Sequence, residues 1–305
     1  MKLIKPSFLI KEQEPGLEGV YKQIEWAGRH CYKSHDKITE DSAKKFVDRM
    51  IKSGHGAVLE HGTVYLRYNF KAGEDSNSTA YWLWSKYNEN KYSESVQAQP
   101  IPGVPNGFVA ITTNYRVLVE NDWLDDLKYL CEPTEYHHKR YTVKFICDRA
   151  IANEFVRHRK FSFLQESTRY CRYSSDKFNG ELTFIIPCWF EEMNQGIIKF
   201  EEGLYKDTYC FQFTEGNKGK SCSIWYNAMR EAEEHYIELI NLGWKAEEAR
   251  NILPLSLKTE LYMCGFAEDW KKFFELRCAP NAHPQAKELA IPLKEEFIKR
   301  GYINE

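Results

Sequence analysis

Two polar runs lie close together in the segment RHRKFSFLQESTR, residues 157–169. The first holds two arginines, a histidine and a lysine, and the second adds amide, carboxyl, hydroxyl and guanidinium groups. An arginine fork offers five coplanar N–H donors and stays charged, which suits phosphate recognition. A solvated basic helix end is the plainer alternative. The second polar run, placed after a short apolar spacer, favours a binding site for an anionic ligand.

The charge of the whole chain restricts the kind of anion. The 305 residues include 42 Lys and Arg against 44 Asp and Glu, a net charge of −2. Proteins that bind nucleic acid through its phosphates usually carry a basic excess. The positive charge is therefore local, which favours a small phosphorylated ligand over a polynucleotide.

The cysteines and the apolar runs predict the compartment. The nine cysteines form no CxxC pair, and an odd, scattered set indicates reduced thiols. Lys5 and Pro6 interrupt the first apolar run, so no signal peptide is expected. No stretch approaches the roughly 20 apolar residues of a membrane span. These features predict a soluble, cytoplasmic protein that does not associate with membranes.

The elements that must position the two polar runs predict a single α+β domain. Periodicity and capping residues predict a strand at 64–70 and helices at 39–53, 141–157, 221–242, 246–253, 268–277 and 284–299. No sustained βαβ alternation is present. Residues 71–135 are polar and aromatic, with three prolines in PIPGVP, and we expect an extension there with little core of its own.

The segment SGHGAVLEH, residues 53–61, is the second candidate for chemistry. His55, Glu60 and His61 could bind a metal ion as in a metallohydrolase, although their spacing differs from the helical HExxH pattern. The glycines favour a turn, whose exposed main chain at Gly56 and Ala57 could approach a phosphate or a ring edge.

Two arginines stand alone in apolar helical stretches. Arg250 could form a surface ion pair with Glu247 or Glu248, whereas Arg277 follows two phenylalanines and is expected to point into a cavity. No nucleophile is evident, because Ser167 lies in no GxSxG turn and no cysteine has an identifiable histidine partner. An anion site without a nucleophile indicates that a cofactor performs the chemistry.

At this point a resemblance to a known family emerges. The residues Arg157-His158-Arg159, followed by seven residues and Ser167, resemble the signature of the flavin-dependent thymidylate synthases. SGHGAVLEH, EEARNILPLSL and FFELRC with the downstream HPQA resemble further segments of that family, in the same order. The resemblance covers the N-terminal quarter and residues 145–300. It implies one domain over residues 1–305, with insertions at about 71–135 and 175–220.

The resemblance implies an activity and an assembly. Members of that family convert dUMP to dTMP with 5,10-methylenetetrahydrofolate as carbon donor and FAD, reduced by NADPH, as the source of hydride. The family has a mixed helix and sheet fold and forms homotetramers whose active sites lie between subunits. No metal and no nucleophilic cysteine are implied.

The resemblance also assigns site residues. Arg277 would act on the uracil as the catalytic residue, Arg169 and Arg250 would bind the phosphate, and His283 would approach the flavin ring. The dUMP-binding residues would be Glu154, Phe155, Val156, Arg157, Gln165, Glu166, Ser167, Thr168, Arg169, Arg250 and Arg277. The FAD-binding residues would be His55, Ala57, Arg157, His158, Arg159, Gln165, Phe266, Glu268, Lys272 and His283.

The chain departs from the family pattern at several of these positions. Cys31 stands where Ser is expected and Gln165 where Glu is frequent. Phe266-Ala267-Glu268 replaces Asn-Ala-Arg, and Lys272 replaces Asn. The adenine end of FAD would therefore be held differently here.

A second class of function stays open. The arginine run and the aromatic residues at 81–92 could serve a non-enzymatic nucleotide- or RNA-binding module. Such a module would bind with a steep salt dependence and without a yellow cofactor, so an absorption spectrum separates it from a flavoenzyme.

Overall fold

Helices and strands are both abundant in the computed structural model, which describes residues 1–71, 76–100, 106–169, 180–190, 197–200, 208–211 and 217–304. The helices are α1 Gly16–Cys31, α2 Ser42–Lys52, α3 Gly56–Leu59, α4 Ser76–Asn88, α5 Tyr115–Glu120, α6 Arg149–Phe155, α7 Asn217–Asn241, α8 Ala246–Ala249, α9 Ala267–Arg277 and α10 Pro284–Lys299. The strands are β1 Lys2–Ile4, β2 Ser7–Lys11, β3 Thr63–Lys71, β4 Glu94–Ala98, β5 Asn106–Asn114, β6 Arg140–Asp148, β7 Ser162–Gln165, β8 Thr183–Ile185, β9 Ile197–Phe200, β10 Thr208–Phe211 and β11 Lys258–Phe266. The predicted α+β class is confirmed.

A four-stranded antiparallel sheet in the order β2-β6-β11-β7 lies between two apolar cores. Leu164 and Tyr262 belong to the core on the side of α1. Phe145, Leu261 and Met263 belong to the core formed with α6, α9 and α10. Because both faces of β11 are covered, all of its residues but the last are buried. This sheet carries β7, which leads directly into the second polar run.

A second antiparallel sheet, in the order β3-β5-β4, packs with α4 on the α1 side. Leu83 and Tyr87 of α4 and Val109 and Ile111 of β5 are almost completely buried there. The expectation of little core at 71–135 is therefore wrong. The apolar stripe of α4 is hard to recognise in the sequence, because aromatic side chains also occupy the exposed face of this helix.

The helix predicted over 141–157 is wrong in its first half, which forms strand β6. Val143, Phe145 and Cys147 alternate with more polar residues and face the α9 and α10 core. Val143 and Ile146 are three residues apart, which also fits the 3.6-residue period of a helix. The structure instead follows the two-residue period of a strand. The chain turns helical only at α6, where the Asp148 carboxylate accepts from the backbone N–H of Ile151 at 2.7 Å.

Most of the remaining predictions are confirmed. Strand β3 covers 64–70, and α7, α8, α9 and α10 occupy the four C-terminal helical stretches. A 3-10 turn at Arg250–Ile252 extends α8 towards Pro254. Gly243 follows α7 with a φ of 97°, a conformation that favours glycine. Much of the predicted insertion at 175–220 lies outside the described residues. Within the described ranges, no helix combines the length and the apolar character needed to cross a membrane.

Candidate active site

The second polar run extends from the end of β7. Gln165 is the last residue of that strand, and its side-chain amide donates to the Thr259 hydroxyl at 3.4 Å. The Ser167 hydroxyl accepts from the backbone N–H of Arg169 at 3.3 Å. Arg250 donates to the Thr168 hydroxyl at 3.5 Å, so the structure brings this arginine to the run as the sequence suggested. Glu166 is the exception, because its side chain turns into the protein interior.

The end of α1 and the short helix α3 lie beside this run. The Cys31 thiol donates to the Gln165 carbonyl at 2.9 Å, and burial raises the pKa of this thiol to about 12. The next residue, Tyr32, places its hydroxyl 3.2 Å from Nδ1 of His55. Since α3 also packs against β7, the exposed residues His55 and Ala57 lie near Gln165.

Arg277 ends α9 and is anchored by three hydrogen bonds, two to Glu154 of α6 and one to His158, which follows that helix. Its Nη1 donates to a Glu154 carboxylate oxygen at 2.6 Å, and its Nη2 donates to the Glu154 carbonyl at 2.7 Å. Its Nε donates to Nε2 of His158 at 3.0 Å. A guanidinium has five N–H groups, so one remains on each terminal nitrogen. The side chain is 17% exposed, which leaves these two donors at the edge of the protein.

The histidine of the first polar run is held neutral. Burial, together with the charge of Arg277, lowers the pKa of His158 to about 4. Its Nε2 can therefore accept the proton that Arg277 offers, and the ring packs on Phe273 with centroids 5.0 Å apart. Of its neighbours, Phe155 is buried and Val156 is half-buried, so a ligand would meet the main chain at Phe155.

The two arginines of the first polar run face solvent. Arg157 and Arg159 are exposed, and neither forms an ion pair with the residues that the structure describes. Two exposed forks without an acidic partner can accept an anion from solution or from a ligand shared with another chain.

A cavity of about 320 Å³ opens next to Lys160 and the start of α9. It contains three of the predicted FAD residues, Phe266, Glu268 and Lys272. Two aromatic rings, Tyr92 and Phe266, line the cavity. Its five Lys and Arg side chains outnumber its three carboxylates: Lys91, Lys139, Arg140, Lys160 and Lys272 against Glu94, Glu268 and Asp269. Such a lining suits a ligand with an aromatic ring and phosphate groups.

His283 is placed apart from these groups. It is exposed at the N-terminus of α10, and its ring lies 6.1 Å from that of Trp189. Contacts thus connect the remaining predicted residues in three groups: the run at 165–169 with Arg250 and His55, the Glu154, His158 and Arg277 group, and the cavity with Phe266, Glu268 and Lys272.

The possible metal site at 53–61 does not form. Tyr32 contacts His55, and the Glu60 carboxylate accepts from Arg116 at 2.6 Å. His61 is fully buried, and neither of its ring nitrogens has a hydrogen-bond partner. Burial, with a smaller effect of Arg140, lowers the pKa of His61 to about 3. The three side chains do not converge, and the described residues contain no group of three metal-binding side chains.

One cysteine does have a histidine neighbour, contrary to the expectation from sequence. Cys131 lies 3.8 Å from Nε2 of His137, which also contacts the Leu66 carbonyl. Burial raises the pKa of Cys131 and lowers that of His137. Both shifts oppose a thiolate and imidazolium pair, so this contact has no features of an activated nucleophile.

Comparison with known families decides the relationship. A family model described as Thymidylate synthase complementing protein matches residues 110–300, which is more than half of the chain. The chain belongs to this family. The resemblance predicted from the residues is confirmed, and the matched region includes both polar runs, Arg250 and Arg277.

Relatives that match this chain by sequence are named flavin-dependent thymidylate synthases. The protein from Pyrococcus furiosus is 32% identical over 157 residues, 52% of this chain and 53% of the relative. The protein from Synechocystis sp. is 29% identical over 163 residues, 52% of this chain and 66% of the relative. The chain thus spans about half to two thirds of the length of these relatives. A solved UMP/dUMP methylase, PolB from Streptomyces cacaoi bound with 5-Br dUMP, aligns over 98% of this chain and 93% of its own at 16% identity and a TM-score of 0.44.

Several polar residues near the predicted site were not predicted from the sequence. Lys91 and Arg140 line the cavity, and Lys258 and Glu260 lie in the buried strand β11. The charged residues within KTELYMCGF were a usable signal, because a central strand rarely buries charge without a partner. The cavity had no such signal, since its walls come from five separate stretches of the chain.

Proposed function

We propose that this chain is a flavin-dependent thymidylate synthase that methylates dUMP to dTMP. The carbon would come from 5,10-methylenetetrahydrofolate, and NADPH would be the reductant. When bound, reduced FAD supplies the hydride that completes the methyl group. Family membership and the relatives' names support this proposal. The observation that carries it is the cavity with aromatic and cationic walls, which Lys160 of the first polar run lines.

The residues of the cavity fit FAD. Phe266 and Tyr92 offer aromatic surfaces for an adenine ring, while Lys91, Lys160 and Lys272 offer cations for a diphosphate. Arg157, Arg159, Gln165, His55 and Ala57 would contact the rest of the cofactor, as would His158 and His283. Glu268 adds negative charge, which a ribose hydroxyl could use as an acceptor.

The run at 165–169 would bind dUMP. Ser167 would donate to the nucleotide, and Arg169 with Arg250 would face the phosphate. Thr168 is already bonded to Arg250 and would hold that guanidinium in place. Glu154, Val156 and Arg157 would line the other side of the nucleotide, together with the main chain at Phe155.

Arg277 would stabilise the charge that develops on the uracil. Formation of the new bond at C5 of the uracil requires electron density at that carbon. The negative charge that develops on the ring then spreads over N3 and O4. The two remaining Nη donors of Arg277 can face that edge, while Glu154 and His158 fix the fork. A preorganised charge at the edge of an apolar wall is worth several kcal/mol to such a transition state.

The assembly would be a homotetramer, and the chain one domain with insertions at about 71–135 and 175–220. Arg157 and Arg159 are exposed and have no acidic partner among the described residues, so another subunit would complete each site. We infer that FAD is shared between chains through Arg157 and Arg159.

Purified full-length chain provides the test. We expect flavin absorption bands and formation of dTMP from dUMP, 5,10-methylenetetrahydrofolate and NADPH, with both activity and colour restored to stripped protein by FAD. Colourless protein that FAD does not activate, but that binds RNA with a steep salt dependence, would replace this proposal with the non-enzymatic module.

A further inference from the structure

The run at 165–169 presents alternate side chains to opposite sides. Gln165, Ser167 and Arg169 are partly or fully exposed, whereas Glu166 and Thr168 are buried. The backbone N–H of Glu166 donates to the Glu260 carbonyl at 2.8 Å, so pairing with β11 continues one residue past β7. An extended backbone points successive side chains to opposite faces. All five residues of the run were expected at the nucleotide, but only the outer side chains are open to a ligand. The inner side chains of Glu166 and Thr168 are buried and anchor the run instead.

The anchor at Glu166 is a buried ion pair. Its carboxylate is 0% exposed and accepts from Lys258 at 2.8 Å and from Lys33 at 3.1 Å. Burial alone would raise the pKa of Glu166, but the two ammonium groups outweigh burial and hold this pKa below its ordinary value. A buried carboxylate in such surroundings stays ionised and tolerates only a narrow range of positions.

The same two lysines also contact a second buried carboxylate, Glu260 of β11. Glu260 accepts from Lys258 at 3.1 Å and bonds Lys33, and it accepts from Lys144 of β6 at 2.9 Å. The network therefore ties the polar run to the two central strands of the sheet. Glu260 lies on a strand and Glu166 on the run itself, which makes them a matched pair for comparison.

The end of α1 completes the anchor. Lys33 has a φ of 51°, in the left-handed region that side chains with a Cβ rarely adopt. This conformation follows directly after Cys31 and Tyr32, so one short stretch contacts Gln165, Glu166 and His55. Strain of this kind persists where surrounding contacts hold it.

We propose that Glu166 is a positioning residue: its carboxylate, clamped by Lys258 and Lys33, sets the register in which Gln165, Ser167 and Arg169 face the nucleotide. The inference rests on the proposed function, because it takes the outer face of the run as the dUMP site. Glu166 itself does not touch the substrate.

The test compares Glu166→Gln with Glu260→Gln in the full-length protein. Both changes remove one buried charge from the same network, and both are expected to lower thermal stability. Only Glu166→Gln is expected to weaken dUMP binding, by about tenfold or more in calorimetric titration, with FAD affinity unchanged. Equal loss of dUMP affinity in the two variants, or none in Glu166→Gln, overturns the proposal.

A second variant covers the case in which Glu166→Gln does not fold. Lys33 is 13% exposed at the edge of the network, and Lys33→Met removes the clamp that follows α1, including its bond to Glu260, while Lys258 remains. We expect a several-fold weaker dUMP affinity with unchanged FAD affinity, and an unchanged dUMP affinity contradicts the clamp. If the unmodified chain binds FAD but no dUMP, the proposed function fails and the inference fails with it. If it binds dUMP and the variants bind equally well, only the inference fails.

Discussion

At the residue scale, the hydrogen bonds of Arg277 allow the role of its forked shape to be tested separately from the role of its charge. Arg277→Lys keeps a cation but loses the fork that spans Glu154 and His158. We expect bound FAD to be retained and dTMP turnover to fall on the order of 10²-fold or more. Flavin absorbance and initial rates measure the two effects separately. Arg300→Lys is the matched control, because Arg300 also ends a helix and bonds acidic side chains, Glu296 and Glu12. Similar turnover in both variants would remove Arg277 from the mechanism.

His61 predicts a specific acid sensitivity. Its folded-state pKa of about 3 lies below the ordinary value of 6.5, so the unfolded chain binds the proton first as the pH falls. Stability is therefore lost between about pH 6.5 and 3, by about 1.4 kcal/mol per pH unit for one proton. His61→Phe keeps a ring without nitrogens and should reduce this slope in urea unfolding at pH 6.5, 5.5 and 4.5. Equal slopes in both proteins would show that another group is responsible.

The cysteines predict a reaction that does not depend on a thiol. The Cys31 thiol, with a pKa of about 12, stays protonated at neutral pH, and Cys131 is likewise kept from ionising. Cys31→Ala and Cys131→Ala should each form dTMP at rates near that of the unmodified chain, with Cys278→Ala as the control. A folded, flavin-loaded variant of either residue with no activity would point to thiol catalysis.

At the element scale, the turn between α4 and β4 supplies residues to the proposed cofactor cavity. Lys91 and Tyr92 are exposed in that turn and line the cavity opposite Phe266. Lys91→Ala and Tyr92→Ala should each weaken FAD binding by about tenfold, the effect of one lost stacking or charged contact. Flavin fluorescence titration of stripped protein measures this affinity directly. Lys45→Ala, an exposed lysine on α2, should leave it unchanged, and a similar loss there would indicate a general charge effect.

The elements differ in how far their sequences determine them. Helices α9 and α10 were predictable because the apolar residues of each follow the helical period alone. Acidic residues mark the first turn of α9, and Pro284 is the first residue of α10. Strand β6 was not, because Val143 and Ile146 have helical spacing although they lie on opposite faces of the strand. Lys144 also lies on a face that looks solvent-exposed in sequence. That lysine is instead paired with Glu260, 116 residues further along the chain. Local pattern could not reveal so distant a partner.

At the scale of the whole molecule, the exposed arginines predict that FAD binding and assembly are linked. Arg157 and Arg159 lack acidic partners among the described residues, and a cofactor shared between chains would provide phosphate for them. Adding FAD to stripped protein should shift the population towards tetramer, as measured by light scattering across a concentration series. A monomer that remains stable and binds FAD with full affinity would contradict this coupling.

The site as a whole was only partly accessible from sequence. Residue type and spacing singled out the run at 165–169 and Arg277, and the contact between Arg250 and the run is confirmed. The partner of Arg277 could not be predicted, because Glu154 lies on α6, 123 residues earlier in the chain. The cavity required knowledge of how the turn at 91–92 meets the start of α9, which depends on the packing of both sheets.

The order of strands in the central sheet also determines when the chain can fold during its synthesis on the ribosome. Strand β11 lies between β6 and β7, and β6 also pairs with β2, so every pair of partners is separated by about a hundred residues or more. The lysine and glutamate pairs beneath the run at 165–169 need β11 as well. Until residue 266 has left the exit tunnel, neither the sheet nor the register of residues 165–169 can form. Such non-local pairing slows folding and leaves the nascent chain dependent on protection from aggregation during its synthesis.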